Sequence, residues 1–141
     1  MRNFFSYRHV VGFEDTNAMG NVYFSNYLSW QGKCRELFIR EKTPELIQDL
    51  DEGLLTLITL HCSCTYLSEL KAFDEVSIDM SLDNVVYNRV KVIFEYRKLG
   101  NGTSQVVASG IHEIGCFCRD EEGLKTIAIP SALMEALEAY K

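Results

Sequence analysis

The stretch FEDTNAMGNVYFSNY over residues 13–27 gathers polar, turn-forming residues directly ahead of an apolar, helically periodic segment. A polar loop running into a helix start brings unpaired backbone N–H groups to the positive end of the helix dipole. Such groups can polarise a carbonyl oxygen, which is what acyl transfer needs. A capped surface loop would have the same composition, so the local chemistry leaves both readings open. Arg35 follows Tyr27 by about two helical turns and sits beside Cys34 and Phe38 on the apolar stripe. A guanidinium placed there needs an anion or an oxygen-rich partner. An internal acid such as Glu36 or Glu69 could supply one, or the side chain could reach solvent.

Other nucleophilic schemes have less behind them. There is no Gly-x-Ser-x-Gly elbow and no glycine-rich phosphate loop. His9, His61 and His112 fall in strand-like segments, where core or surface positions are the expectation. The five cysteines are Cys34, Cys62, Cys64, Cys116 and Cys118. The two Cys-x-Cys pairs have one intervening residue where structural zinc sites use about two to four. They are expected to be buried, reduced thiols and not metal ligands.

The chain has 141 residues, 47% of them hydrophobic, and only two prolines, which fits one domain over residues 1–141 with a substantial core. Its net charge of −6 speaks against nucleic acid, since neutralising phosphates takes a basic surface. The acidic group Asp120, Glu121 and Glu122 reads as a solvated turn. Arg8 interrupts the first apolar stretch before a signal-peptide core can form, and no window approaches the ~20 apolar residues of a membrane span. A soluble, cytoplasmic protein with no membrane partner is expected.

The elements that must hold these residues follow from periodicity. Residues 4–13 read as a strand, 14–20 as a polar loop, and 26–40 as a helix whose apolar stripe runs through Tyr27, Trp30, Cys34 and Leu37/Phe38, capped by Ser25 or Asn26. A loop with Pro44 and Gly53 precedes a long apolar strand over 54–66. Val76, Ile78, Met80 and Leu82 alternate with polar residues, as do Val90, Val92, Phe94 and Tyr96, which marks two half-buried strands. Gly100-Asn101-Gly102 supplies a hairpin turn into a strand over 105–119, and Pro130-Ser131 opens a short terminal helix. One helix cannot be the crossover for several parallel strands. The expected architecture is therefore α+β: a curved antiparallel sheet of about five strands wrapped around one long central helix. Because one helix covers such a sheet incompletely, a homo-oligomer is expected, as a tetramer built from dimers.

The run Asp15-Thr16-Asn17-Ala18-Met19-Gly20-Asn21-Val22, followed by Tyr27 and a helix, resembles the signature of 4-hydroxybenzoyl-CoA thioesterase-like hotdog proteins, and the strand order agrees over nearly the whole chain. That family usually carries an aspartate, as nucleophile or general base, where this chain has Asn17. An amide does not ionise in the working pH range. The pairing of Asn17 with Arg35 is closer to the thioesterases of enediyne polyketide biosynthesis.

That resemblance implies an acyl-carrier-protein thioesterase of antibiotic biosynthesis. Its substrate would be a polyunsaturated β-ketoacyl chain on the phosphopantetheine arm of an acyl carrier protein domain of an iterative polyketide synthase, released as a linear polyene with decarboxylation. Arg35 would bind the acyl oxygens and Asn17 would position water or the thioester. Tyr27 would orient the same groups, helix-start amides near Val22, Tyr23 and Phe24 would add donors, and no metal or redox cofactor would be required. A general acyl-CoA thioesterase using Glu36 or Glu69 is the first alternative, and a catalytically silent acyl-binding hotdog module is the second.

Overall fold

The period-two segments fold into one antiparallel sheet in a computed structural model that describes residues 3–141. The strands are β1 (Phe5–Val10), β2 (Thr56–Tyr66), β3 (Glu75–Val86), β4 (Arg89–Leu99), β5 (Ser104–Asp120) and β6 (Gly123–Thr126). They lie in the order β1-β3-β4-β5-β2, with β6 paired to the end of β5 on the edge opposite β2. The long helix α1 (Phe24–Lys42) packs against the sheet through Tyr27, Trp30, Gln31, Cys34, Phe38 and Ile39. Facing it are Ile78, Met80, Val92, Phe94 and Tyr96, each almost inaccessible. Burying an apolar side chain of this size contributes about 1.5–3 kcal/mol, so this helix–sheet interface holds α1 in place.

Several boundaries differ from expectation for identifiable reasons. β1 ends at Val10 because the chain turns at Gly12 into a 3-10 turn (Phe13–Asp15). Helix α1 begins at Phe24 with Tyr23 at its N-cap and no side-chain cap bond. Neither Ser25 nor Asn26 caps it, because both are already helical; Asn26 instead donates to the Asp15 carbonyl at 2.8 Å, tying the loop to the helix. The Pro44 loop contains a short helix α2 (Leu46–Asp51), too brief to show periodicity. The turn after β4 places Gly102 at φ 72°, where glycine is readily accommodated. The acidic turn is the β5–β6 hairpin, where Lys125 Nζ lies 2.9 Å from Asp120 and 3.4 Å from Glu122. The terminal helix α3 (Ser131–Glu138) seats Leu133 and Leu137 in the core.

One irregularity bears on the site. The pairing of β2 with β5 shifts register between Thr59 and His61. A bulge bends its strand and re-aims the adjacent side chains. Here it lies beside Arg35 of α1 and His112 of β5.

Candidate active site

Arg35 leaves the middle of α1 toward this bulge. Its Nη1 donates to Thr59 Oγ1 at 3.0 Å and lies 3.3 Å from His112 Nε2; Thr59 Oγ1 is itself 3.1 Å from that nitrogen. Among the described residues Arg35 forms no ion pair, so neither Glu36 nor Glu69 neutralises it. Burial pulls its pKa below the ordinary value, opposed by Glu36. The result is a half-buried cation held by two neutral acceptors, with Nε and Nη2 left for a ligand. It borders a narrow cavity whose walls are otherwise apolar, including Phe38, Leu57, Met80, Val92 and Leu133, with room for about 20 Å³ of water-sized volume.

The protonation of His112 can be read from its neighbours. Gln31, completely buried, donates through Nε2 to the Ser63 carbonyl at 2.9 Å, so its Oε1 is the atom facing His112 Nδ1 at 3.2 Å. An oxygen there requires Nδ1–H, which leaves Nε2 as a lone pair toward Arg35 and Thr59. Burial first, then Arg35 and His61, push the His112 pKa down to about 4. The imidazole is therefore neutral at physiological pH.

Asn17 lies in a second cleft, of about 320 Å³, at the amino-terminal end of α1, together with Val22, Tyr23, Phe24, Tyr27 and Glu69. Its Oδ1 accepts the Met19 N–H at 3.0 Å, closing an Asx turn, and its Nδ2 has no partner among the described residues. Tyr27 is 3% exposed and packs edge-on to Tyr66 and Tyr96, with ring centroids 4.9 and 5.4 Å away. Burial, with smaller contributions from Cys64, Tyr66 and Glu69, raises its pKa to about 12, so its hydroxyl stays protonated. Of the helix-start amides, Val22 N–H is taken by the Leu70 carbonyl and Tyr23 N–H by the Asp15 carbonyl, both at 2.9 Å. Phe24 N–H, in the first turn of α1, has no acceptor among the described residues. Glu69 accepts from Asn21 Nδ2 at 3.0 Å.

The structure thus brings Asn17, Tyr27, Val22, Tyr23 and Phe24 together and places Arg35 elsewhere. Tyr27 and Arg35 are separated by about 12 Å of helix rise, and Tyr66 of the Asn17 cleft by about 23 Å of strand from Thr59, the hydrogen-bond partner of Arg35. The expected convergence of Asn17 and Arg35 on one group does not occur within a single copy. Gln31, Thr59 and His112 were missed; no pattern in the chain singles them out, because the pairing of β2 with β5 and the packing of α1 against them bring the three together. Of the cysteines, Cys34 and Cys116 are buried and Cys62 is exposed, so burial does not extend to every thiol.

Comparison with known proteins fits this arrangement. Residues 11–137 match the Thioesterase-like superfamily. The dynemicin thioesterase, whose crystal structures reveal induced-fit and allosteric effects upon polyene binding, superposes with a TM-score of 0.94 at 38% identity, covering 98% of this chain and 97% of that one. A 1,4-dihydroxy-2-naphthoyl-CoA thioesterase from Synechocystis gives 0.84 at 19% identity, covering 96% of each chain. The 4-hydroxybenzoyl-CoA thioesterase from Pseudomonas sp. strain CBS-3 gives 0.81 at 19%, covering 96% of this chain and 99% of that one; these two likenesses speak to the fold. The chain belongs to the thioesterase-like superfamily: it is a hotdog-fold thioester hydrolase. Among the described residues, no helix is long and apolar enough to cross a membrane.

Proposed function

We propose that this thioesterase releases a polyunsaturated β-ketoacyl chain from the phosphopantetheine arm of an acyl carrier protein domain of an iterative polyketide synthase. The observation that carries the reading is Arg35: a half-buried cation with no carboxylate partner among the described residues, at the edge of an apolar cavity. That combination suits an oxygen-bearing head, and the apolar walls must part to take a hydrocarbon tail, since about 20 Å³ is room for little more than a water molecule. The 38% identity to the dynemicin thioesterase supports a polyene as that tail.

In this reading water adds to the thioester carbonyl carbon, and Arg35 receives the negative charge that develops on the acyl oxygen. Collapse of the tetrahedral intermediate breaks the C–S bond, and the departing thiolate takes a proton. The β-keto acid then loses carbon dioxide while Arg35 holds its carboxylate. The reaction calls on no metal or redox cofactor, and the enzyme works in the cytoplasm as a homotetramer. Arg35→Ala should keep the fold and lose on the order of a hundredfold in turnover of a β-ketoacyl carrier-protein thioester, with lysine a poor substitute because it lacks the planar fork. Near-parental turnover by Arg35→Ala would refute the assignment.

A second reading has its own observation. Glu69 shares the cleft of Asn17 and Tyr27, where a carboxylate could activate water for a general acyl-CoA thioesterase. Comparable rates on CoA and carrier-protein thioesters, abolished by Glu69→Gln and not by Arg35→Ala, would favour it.

A further inference from the structure

Arg35 has a long, flexible side chain, and nothing ionic among the described residues holds it. Such a side chain loses many rotamers when it is ordered, so a guanidinium that must meet a developing charge benefits from being fixed beforehand. The structure contains a chain of contacts suited to that. The Ser63 carbonyl fixes Gln31 Nε2, Gln31 Oε1 fixes His112 Nδ1–H, and His112 Nε2 is thereby turned to Arg35 Nη1. Thr59 closes a triangle with the same two groups. Gly110 completes the arrangement: a Cβ at that position would collide with Gln31 Nε2 and stand 2.7 Å from the Ser63 carbonyl oxygen.

We propose that His112 is a positioning residue, held in its Nδ1–H tautomer by Gln31 so that its Nε2 lone pair orients Arg35 for the acyl oxygens. This rests on the reading that Arg35 meets the acyl group. His112 is 4% exposed and lies behind the arginine, so it acts through Arg35 and not on substrate. The charged or titratable groups around it are Arg35 from α1 and, from β2, His61 and its cross-strand partner Cys62; Gln31, Thr59 and the Phe94 ring, 6.2 Å away, are its other neighbours. With no carboxylate beside it, the imidazole stays an acceptor. Were Nε2 protonated, it would present a donor and a positive charge to a residue that only donates.

The test is a double-mutant cycle on 3-oxododecanoyl-pantetheine hydrolysis at pH 7.5. His112→Asn keeps a donor near Nδ1 and removes the acceptor at Nε2. His112→Gln places an amide oxygen near Nε2. Expected are a tenfold or greater fall in kcat for His112→Asn with KM changed less than threefold, and a rate within about threefold of the parent for His112→Gln. In the Arg35→Ala background, His112→Asn should change the rate less than twofold, because the group it positions is gone. If His112→Asn fails to fold, Gln31→Met, which frees the tautomer, is placed in the same cycle with the same expectation. Parental activity of Arg35→Ala would refute the underlying reading. A slow Arg35→Ala combined with undiminished activity of His112→Asn, or with an equal loss in both backgrounds, would overturn the positioning role alone.

Discussion

The buried imidazole makes the enzyme's stability depend on pH in a way that can be isolated. The folded-state pKa of His112 lies near 4, against 6.5 ordinarily. The unfolded chain therefore takes up a proton as pH falls through about 6.5, whereas the folded chain does not until about 4. Stability is lost across that window, is level above it, and levels again below it. At 1.36 kcal/mol per pH unit the whole window is worth about 3 kcal/mol at most. Moving only to pH 5.5 costs about 1.4 kcal/mol, a tenfold change in the unfolding equilibrium constant. That pH stays above the isoelectric point near 5.0, which limits precipitation. Urea unfolding of the parent and of His112→Gln, at equal protein concentration, should be compared at pH 8 and pH 5.5. The carboxylates, His9 and His61 are common to both proteins and cancel in the difference. The parent should lose about 1.4 kcal/mol more than the variant. Equal losses, within about 0.5 kcal/mol, would mean that His112 is not held neutral by its surroundings, and the tautomer argument built on that neutrality would fall.

The remaining expectations concern neighbouring parts of the same machinery. Gly110→Ala should destabilise the protein by about 1–3 kcal/mol, since backbone at the Ser63 carbonyl cannot move aside as a side-chain tip would; an unchanged thermal melt would show that Gln31 is not wedged as described. Asn17→Asp preserves the acceptor of the Asx turn and loses the free Nδ2 donor, so hydrolysis should slow with stability retained, whereas Asn17→Ala should lose both, about 1 kcal/mol in stability included. A faster Asn17→Asp enzyme with a new acidic limb in its pH profile would point to carboxylate-driven hydrolysis instead. Light scattering should give a tetramer; a stable, active monomer would contradict the need to cover the exposed Leu60 and Tyr66 on edge strand β2.

Much of the architecture was legible because it depends on local alternation. Val76, Ile78, Met80 and Leu82 declare a strand by themselves, and the Tyr27–Phe38 stripe declares the helix that covers it; the expectation of a half-buried β3 fails, because Ser77, Asp79 and Ser81 on its other face are buried too. The bulge at Thr59 and His61 was not legible, because it is a property of two strands in register and not of either alone. The caps misled for a related reason: Asn26 has the composition of an N-cap, but tertiary contact with the Asp15 carbonyl claims its amide from inside the helix. At the site, Arg35 stood out by type and position, and Asn17 and Tyr27 through the family resemblance of the loop. Gln31 and His112 lie 81 residues apart, and only folding gives either one a role.

The separation of Asn17 from Arg35 constrains the chemistry more than either residue does. The two oxygens of a β-ketoacyl thioester are a few ångströms apart, whereas about 12 Å of helix lies between Tyr27 and Arg35. In one copy of the chain the two donor sets open into separate cavities, and as placed they do not meet at the same carbonyl. If Arg35 takes the acyl oxygens, the cleft of Asn17, Tyr27 and the free Phe24 amide is too distant to complete that oxyanion site from the same chain. It can serve a different portion of the thioester, such as the amides of the pantetheine arm, or the acyl group bound against another copy. Both arrangements give α1 the same task, since the one rigid helix carries Tyr27 and Arg35 at a fixed spacing. Buried contacts along Trp30, Gln31 and Cys34 hold that spacing, so packing between the two clefts bears on catalysis even where no residue touches substrate.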